Sequence, residues 1–541
     1  LNASQRQALK LARWYPLIMN SQRTWLPQFI LSAALFFISV VWVIKAWPLS
    51  PAGQWKEIYS SDPAWFSMLY IIGPAAAALA LAVANARLDR AKREYQYFCK
   101  AMPFALVAVC FWAQKSAVQL RMAGAESNHF YFAAPIGPGA FVGQAMSIGE
   151  PPVETGLRYL QTFDTNVGGQ HWGGFGGTRV ISNPPGATML FYTCRKVLEA
   201  MPSLQTFYAG ETLQPSASVL EKRALLAKAL AQFGADVCLV LIALGMPPLY
   251  WLARELLPEE GALPMVLGAI FIPSLLVFNF TKDAYQISLA LWFWLALLKA
   301  MQGHSDLWAW ITGLLFFIGI QFSLSFLVVD ATAGAICLLH IWRREESPLV
   351  RKKEWRVVGM SALSCLLCIL MAWLVLGYKT WSAMLSAWQG HQQYHREFGA
   401  PYGTWVWLNI VHLFLFIGGP VAAALICGGW SQIQRMTKAG QSGANKSGAG
   451  QTGVSECFVG LVGIILVLNF TGMNLSEVPR LWMVFMPVLY LASERAAGIK
   501  RPAGVHVALL TMQIIQAAIF TMCFDPLGGS HRAIHGLLEG L

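Results

Sequence analysis

Residues 307–342 read LWAWITGLLFFIGIQFSLSFLVVDATAGAICLLHIW, thirty-six positions in which Asp330 is the only Asp, Glu, Lys or Arg. Drawn out as one α-helix, the run would reach about 54 Å, far beyond the ~30 Å of hydrocarbon in a bilayer. Lys299 precedes it, and Arg343 and Arg344 follow it. Positive charge collects on the cytoplasmic side of a membrane, so two basic flanks put both ends of the run on that side. The run therefore reads as two helices that turn back near Ser323. A chain that folds this way uses lipid as its solvent.

The rest of the sequence agrees. Of 541 residues, 56% are hydrophobic and 12% charged, with a mean hydropathy of +0.50; soluble domains carry about a quarter charged residues. Apolar runs of helical length occur at 29–47, 65–86, 104–120, 233–252, 263–280, 284–298, 307–322, 324–342, 357–376, 405–427, 457–470, 481–492 and 505–524. They predict an all-α polytopic membrane protein with about thirteen transmembrane helices. The net charge of +12 does not signal nucleic acid, because the Lys and Arg cluster between apolar runs. With the N-terminus cytoplasmic, the inner segments hold twenty-three of them and the short outer segments six, as positive-inside topology requires. The ten cysteines are scattered, mostly within apolar runs, and read as packing residues, with no disulfide or zinc framework. No small-residue cleavage motif follows the first run, which is read as a retained helix.

Three parts follow from this pattern. Residues 1–100 form an N-terminal cytoplasmic segment and a two-helix addition, 101–495 a membrane core with a large outer loop at 121–231, and 496–541 a last helix and tail. Within the loop, 188–200 (TMLFYTCRKVLEA) spaces apolar and basic positions as an interfacial helix does. The Gly- and Ser-rich 440–453 reads as an inner linker.

Five polar clusters fall on the outer side. Glu126, in ESNHFY just after the third run, is either a general base at the bilayer edge or a solvated loop residue. Asp164 lies in YLQTFDTN, upstream of Arg179 and the rigid turn Asn183-Pro184-Pro185-Gly186; Arg179 there can clamp a phosphate or meet lipid headgroups. Asn279-Phe-Thr-Lys282-Asp283 joins two runs, with Asp283 as helix cap or ion-pair partner. His391, Tyr394 and His395 share a helix face at i, i+3 and i+4, a spacing for substrate hydrogen bonds, interface anchoring or, less well, a metal. Finally, Glu477 and Arg480 stand at the mouth of a short apolar helix, where ionisable groups face a polar cavity or cap the helix.

Three of these segments resemble the C-type (GT-C) membrane glycosyltransferases that use polyprenyl-phosphate sugar donors, the group containing protein O-mannosyltransferases and the lipid A aminoarabinose transferase. Glu126 to Tyr131 follows a span where that group places its catalytic carboxylate. Arg179 with Asn183-Pro-Pro-Gly186 is similar to an Arg and His-Pro-Pro-Gly segment of bacterial members, and Glu477-Val-Pro-Arg480-Leu-Trp482 to a late Glu-x-x-Arg-x-Trp segment. The loop with His391 and Tyr394 has the corresponding place. This chain departs in having Asn183 where His is expected, Glu126 in place of Asp, and Ser127 in place of a second acid.

The resemblance implies an inverting hexosyl- or pentosyltransferase of the cell envelope, in the bacterial inner (plasma) membrane, with its active site extracytoplasmic. A sugar would pass from a polyprenyl-phosphate-linked donor to a glycan, lipid or protein acceptor, among membrane lipids and without nucleic acid. Glu126 or Asp164 would be the base. Arg179, Lys282 and Arg480 would stabilise the phosphate, with Asn183 and Asp283 in the same substrate-binding set. Glu477 would orient Arg480 or bind sugar hydroxyls, and His391 and Tyr394 would contact donor or acceptor. A divalent cation is compatible with this set but not demanded by it, and no residue is assigned as a metal ligand. Two other readings stand beside it: a transporter or lipid-handling protein, and an inactive glycosyltransferase-like scaffold, the latter motivated by Asn183 and Ser127.

Overall fold

Inside a bilayer, each backbone N–H and C=O has to bond within its own helix or to a neighbouring group of the protein. The computed structural model meets that demand with helices, and the described residues contain no strand. It describes residues 25–44, 68–121, 139–149, 154–166, 180, 182–211, 217–279, 281–343, 348–398, 402–441, 452–472 and 478–524.

The described residues open with α1 (Trp25–Ile44), α2 (Leu69–Arg87) and α3 (Arg93–Arg121). The segment predicted as an outer loop holds α4 (Gly139–Ser147), α5 (Gly156–Gln161), α6 (Phe163–Asn166), α7 (Gly186–Ala200) and α8 (Pro202–Ala209). Then come α9 (Val219–Ala243), α10 (Met246–Leu256), α11 (Glu259–Ile270), α12 (Pro273–Val277), α13 (Lys282–Gly303), α14 (Asp306–Phe322), α15 (Ser325–Arg343) and α16 (Pro348–Leu376). The last helices among the described residues are α17 (Thr380–Phe398), α18 (Tyr402–Ile417), α19 (Gly419–Gln441), α20 (Thr452–Phe470), α21 (Val478–Leu481), α22 (Met486–Ala497) and α23 (Ala503–Cys523).

The apolar runs are helical, but they are not thirteen equivalent crossings. Among the described residues, eight stretches are long and apolar enough to cross a membrane: α1, α2, α3, α9 with α10, α11 with α12, α13, α16 and α23. Helices α14, α15 and α20 are apolar but shorter, and the run at 481–492 divides between α21 and the 12-residue α22. The run at 405–427, expected as one span, is broken: α18 and α19 are bent by 117°.

Gly418 makes that break. Its φ of +95° suits glycine, and a Cβ there would strike the Gln513 amide. Two glutamines of α23 take up the groups the break leaves over. Gln513 Nε2 donates to the Ile417 carbonyl (2.9 Å) and Gln516 Nε2 to the Leu415 carbonyl (3.1 Å), while Gln516 Oε1 accepts from the Gly419 N–H (2.8 Å).

The run at 307–342 divides at Ser323, as its length required: α14 ends at Phe322, α15 begins at Ser325, and the Phe326 ring lies on Gly319, where no Cβ displaces it. Burial orders the bundle. The α11–α12 stretch is 89% buried and forms its centre, whereas α1 and α16 are 22% buried and turn apolar side chains such as Met371 and Leu374 outward. Helix α14 approaches α16 closely at Gly313, and Ser364 Oγ on α16 donates to the Trp310 carbonyl (2.8 Å), the small-residue contact that lipid-embedded helices use. The predicted amphipathic helix is α7. It buries Ala187, Phe191, Cys194 and Leu198, and Arg195 Nη1 donates to the carbonyls of Ala145, Met146 and Ile148 (3.2, 3.0 and 2.6 Å), closing the end of α4.

Gly418→Ala and Gln516→Leu should each lower the thermal unfolding midpoint of detergent-purified protein, at roughly 1–3 kcal/mol for each buried polar group left unpaired. Gly463→Ala, where a Cβ meets nothing within 4 Å, should leave the midpoint unchanged. Equal midpoints for the two alanine variants would refute the glutamine-capped break.

Candidate functional site at one end of the bundle

Helix α12 ends at Val277, and a tight turn leads into α13. Asn279 Nδ2 donates to the Gln114 carbonyl of α3 (2.9 Å), and Thr281 takes the N-cap position with its hydroxyl on the Phe278 carbonyl (2.8 Å). Asp283, for which capping and ion pairing were both open, therefore sits inside the first turn and serves as an ion-pair partner. Its Oδ1 lies 2.8 Å from Lys282 Nζ and its Oδ2 3.3 Å from Arg480 Nη1. The three side chains are 5%, 5% and 8% exposed.

The short helix α21 delivers Arg480. Ser274 Oγ bonds to the Pro479 carbonyl and ties that turn to α12, while Trp482 is buried behind it. Charges in a low-dielectric interior persist where they are paired, and here one carboxylate orients an ammonium and a guanidinium from distant parts of the chain. The N-terminus of the 22-residue α13 adds its own partial positive charge. This is an electropositive corner of the kind that holds phosphate. Beside Gln114, Lys115 pairs with Asp236 at 2.5 Å and joins α3 to α9.

The same end of the bundle gathers further polar groups. Tyr285, early in α13, meets Phe322 edge-on at 5.7 Å. The adjacent Gln321 accepts the Tyr378 hydroxyl at 2.7 Å, and Gly186 comes so near that a Cβ would lie 2.5 Å from the Gln321 carbonyl oxygen. The rigid turn predicted at 183–186 thus lands on the end of α14, with Asn183 buried inside it. Tyr159 and Phe163 share an apolar cluster with Tyr378 and Ala383, and Gln161 Nε2 donates to the Leu376 carbonyl (3.0 Å). Asp164 is half-buried on α6, which packs against α17. Burial first, then Tyr159 and the Asp164 carboxylate, push the Tyr378 phenol above its ordinary value, so it remains a hydrogen-bond donor.

Of the residues predicted to share a site, Lys282, Asp283 and Arg480 meet directly. Asp164 and Asn183 border the Gln321–Tyr378 wall and not the charge cluster itself. His391 is half-buried on α17, its ring 6.3 Å from Trp388. Tyr394 lies on the same helix, with its side chain outside the described residues, as are Glu126, Arg179 and Glu477 altogether. No group of three His, Cys, Asp or Glu among the described residues is placed to hold a metal ion. Gln114, Gln321 and Tyr378 were not singled out from sequence; only Gly377-Tyr378-Lys379, closing a long apolar run, carried a signal. No protein-family model, characterised protein or solved structure matches the chain.

Asp283→Ala leaves Lys282 and Arg480 without their shared carboxylate and should destabilise the protein by ~3–5 kcal/mol. In a double-mutant cycle read by unfolding, Asp283→Asn and Arg480→Gln should couple by at least ~1 kcal/mol; costs that add within ~0.5 kcal/mol would show the two side chains to be independent.

Proposed function

We propose that the chain is an integral membrane glycosyltransferase that moves a sugar from a polyprenyl-phosphate donor to an acceptor on the extracytoplasmic face. The observation that carries this reading is the meeting of Lys282 and Arg480 on Asp283. Two segments expected to hold a phosphate, distant in sequence, supply two cations to one corner, and a wall bearing Tyr378, Asn183 and Asp164 stands at the same end.

In this reading the acceptor oxygen attacks the anomeric carbon from the face opposite the phosphate, inverting it. The bond from that carbon to the phosphate oxygen breaks, and its electron pair leaves on the polyprenyl phosphate. The acceptor proton passes to a carboxylate, Asp164 or Glu126. Lys282 and Arg480 meet the charge that grows on the leaving phosphate, where fixed cations act most strongly. Asp283 positions both. A transporter reading draws on the broken α18–α19 pair, since discontinuous helices bind substrates in such proteins. Here, however, Ile417, Leu415 and Gly419 at the break are already bonded to Gln513 and Gln516.

Purified protein in liposomes, given a panel of polyprenyl-phosphate hexoses and pentoses, should release polyprenyl phosphate from one of them. Arg480→Gln should lower kcat by about 100-fold or more, the usual effect of deleting a donor to developing negative charge, and either Asp164→Asn or Glu126→Gln should abolish turnover. The reading fails if no donor is consumed, or if Arg480→Gln and both carboxylate variants turn over like wild type. For sidedness, a cysteine at Glu211 should react with an impermeant maleimide in intact cells and one at Ser447 should not; the reverse pattern would put the site on the cytosolic face.

A further inference from the structure

At the opposite end of the α11–α12 stretch from Asp283, the helices leave an open groove of about 890 Å³. An interruption of helical hydrogen bonding borders it, at Leu244 and Pro247. Helix α9 stops at Ala243, and α10 starts at Met246 with Pro247 and Pro248, which cannot donate to the preceding turn. Trp292 Nε1 on α13 donates to the Leu244 carbonyl left over at the break (3.1 Å). The Trp292 and Trp251 rings then meet edge-on at 5.7 Å and form an apolar wall with Phe104, itself widely exposed.

The mouth is different in character. Arg90, Lys100 and Arg254 line it with one carboxylate, Glu259. Arg90 also pairs with Glu260 just outside (2.5 Å), so cations exceed carboxylates even when that residue is counted. Lys100 Nζ lies over the Tyr97 ring at 6.0 Å. These groups sit where α2 passes into α3 and α10 into α11, at the ends of candidate spans, the level at which lipid headgroups lie and indoles and basic side chains anchor.

We infer that this groove is a binding site for one anionic phospholipid, with its phosphate at Arg90, Lys100 and Arg254 and an acyl chain along Trp251, Trp292 and Phe104. Its size is that of a small-molecule site. The basic mouth selects negative over zwitterionic headgroups, and the apolar wall requires a chain, which free phosphate lacks. The site is separate from the Lys282–Asp283–Arg480 corner and does not rest on the transferase reading.

Tryptophan quenching by lipids with brominated acyl chains tests it, with the full chain in phosphatidylcholine nanodiscs. Brominated phosphatidylglycerol at low mole fraction should quench more than brominated phosphatidylcholine, and Trp251→Phe/Trp292→Phe should remove that difference. Lys100→Gln, which breaks no ion pair seen among the described residues, should weaken the preference by about fivefold, the effect of one basic residue near an anionic surface; Lys100→Gln/Arg254→Gln should erase it. Equal quenching by the two lipids, a preference that survives the double charge variant, or displacement of the lipid by millimolar inorganic phosphate would each overturn the assignment.

Discussion

A peptide group that loses its helical partner inside hydrocarbon costs several kcal/mol, and the interruptions in this bundle are built around that cost. At Gly418 the loss is made good by Gln513 and Gln516, at Leu244 by the Trp292 indole, and at Pro479 by the Ser274 hydroxyl. Asn409 and Asn469 do related work between α18 and α20: Asn409 Nδ2 donates to Asn469 Oδ1 (3.0 Å), and Asn469 Nδ2 to the Val406 carbonyl (2.9 Å). Polar side chains in the interior are therefore part of the backbone's hydrogen bonding. Two of these bonds lie beside the places of interest: Ser274 to Pro479 at the Lys282 corner and Trp292 to Leu244 at the groove.

The charge cluster obeys the same rule with higher stakes. Lys282 and Arg480 are nearly inaccessible, and a lone cation at that depth is strongly disfavoured. Asp283 pairs with both and holds them at one place. The surrounding helices bear on the geometry: α3 fixes Asn279 through the Gln114 carbonyl, and α12 fixes the Pro479 turn through Ser274. Preorganisation of this kind is what makes fixed charge useful in phosphate chemistry.

Much of the fold was legible because run length against bilayer thickness is a strong constraint. It placed the division at Ser323 within the longest run. It misjudged 405–427, where hydropathy stays high through Gly418-Gly419 while the groups that permit the bend come from Gln513 and Gln516, about a hundred positions later. The count of about thirteen spans is not confirmed, since among the described residues α14, α15 and α20 are apolar yet short and α22 has only 12 residues. At the candidate site, 279–283 and 477–482 stood out as polar interruptions, but no local pattern tells that Asp283 meets Arg480. Gln321 and Tyr378 are single polar residues at the ends of apolar helices and carry meaning only through their contact.

The adjacency of Lys282 and Asp283 bears on biogenesis. As the ribosome feeds α13 toward the lipid, Arg480 has yet to be synthesised, and the ammonium and carboxylate have each other to shield them during insertion. The guanidinium arrives later and docks onto a carboxylate already in place. Assembly of this end of the protein is therefore ordered by translation itself, with Arg480 following Asp283 by 197 positions.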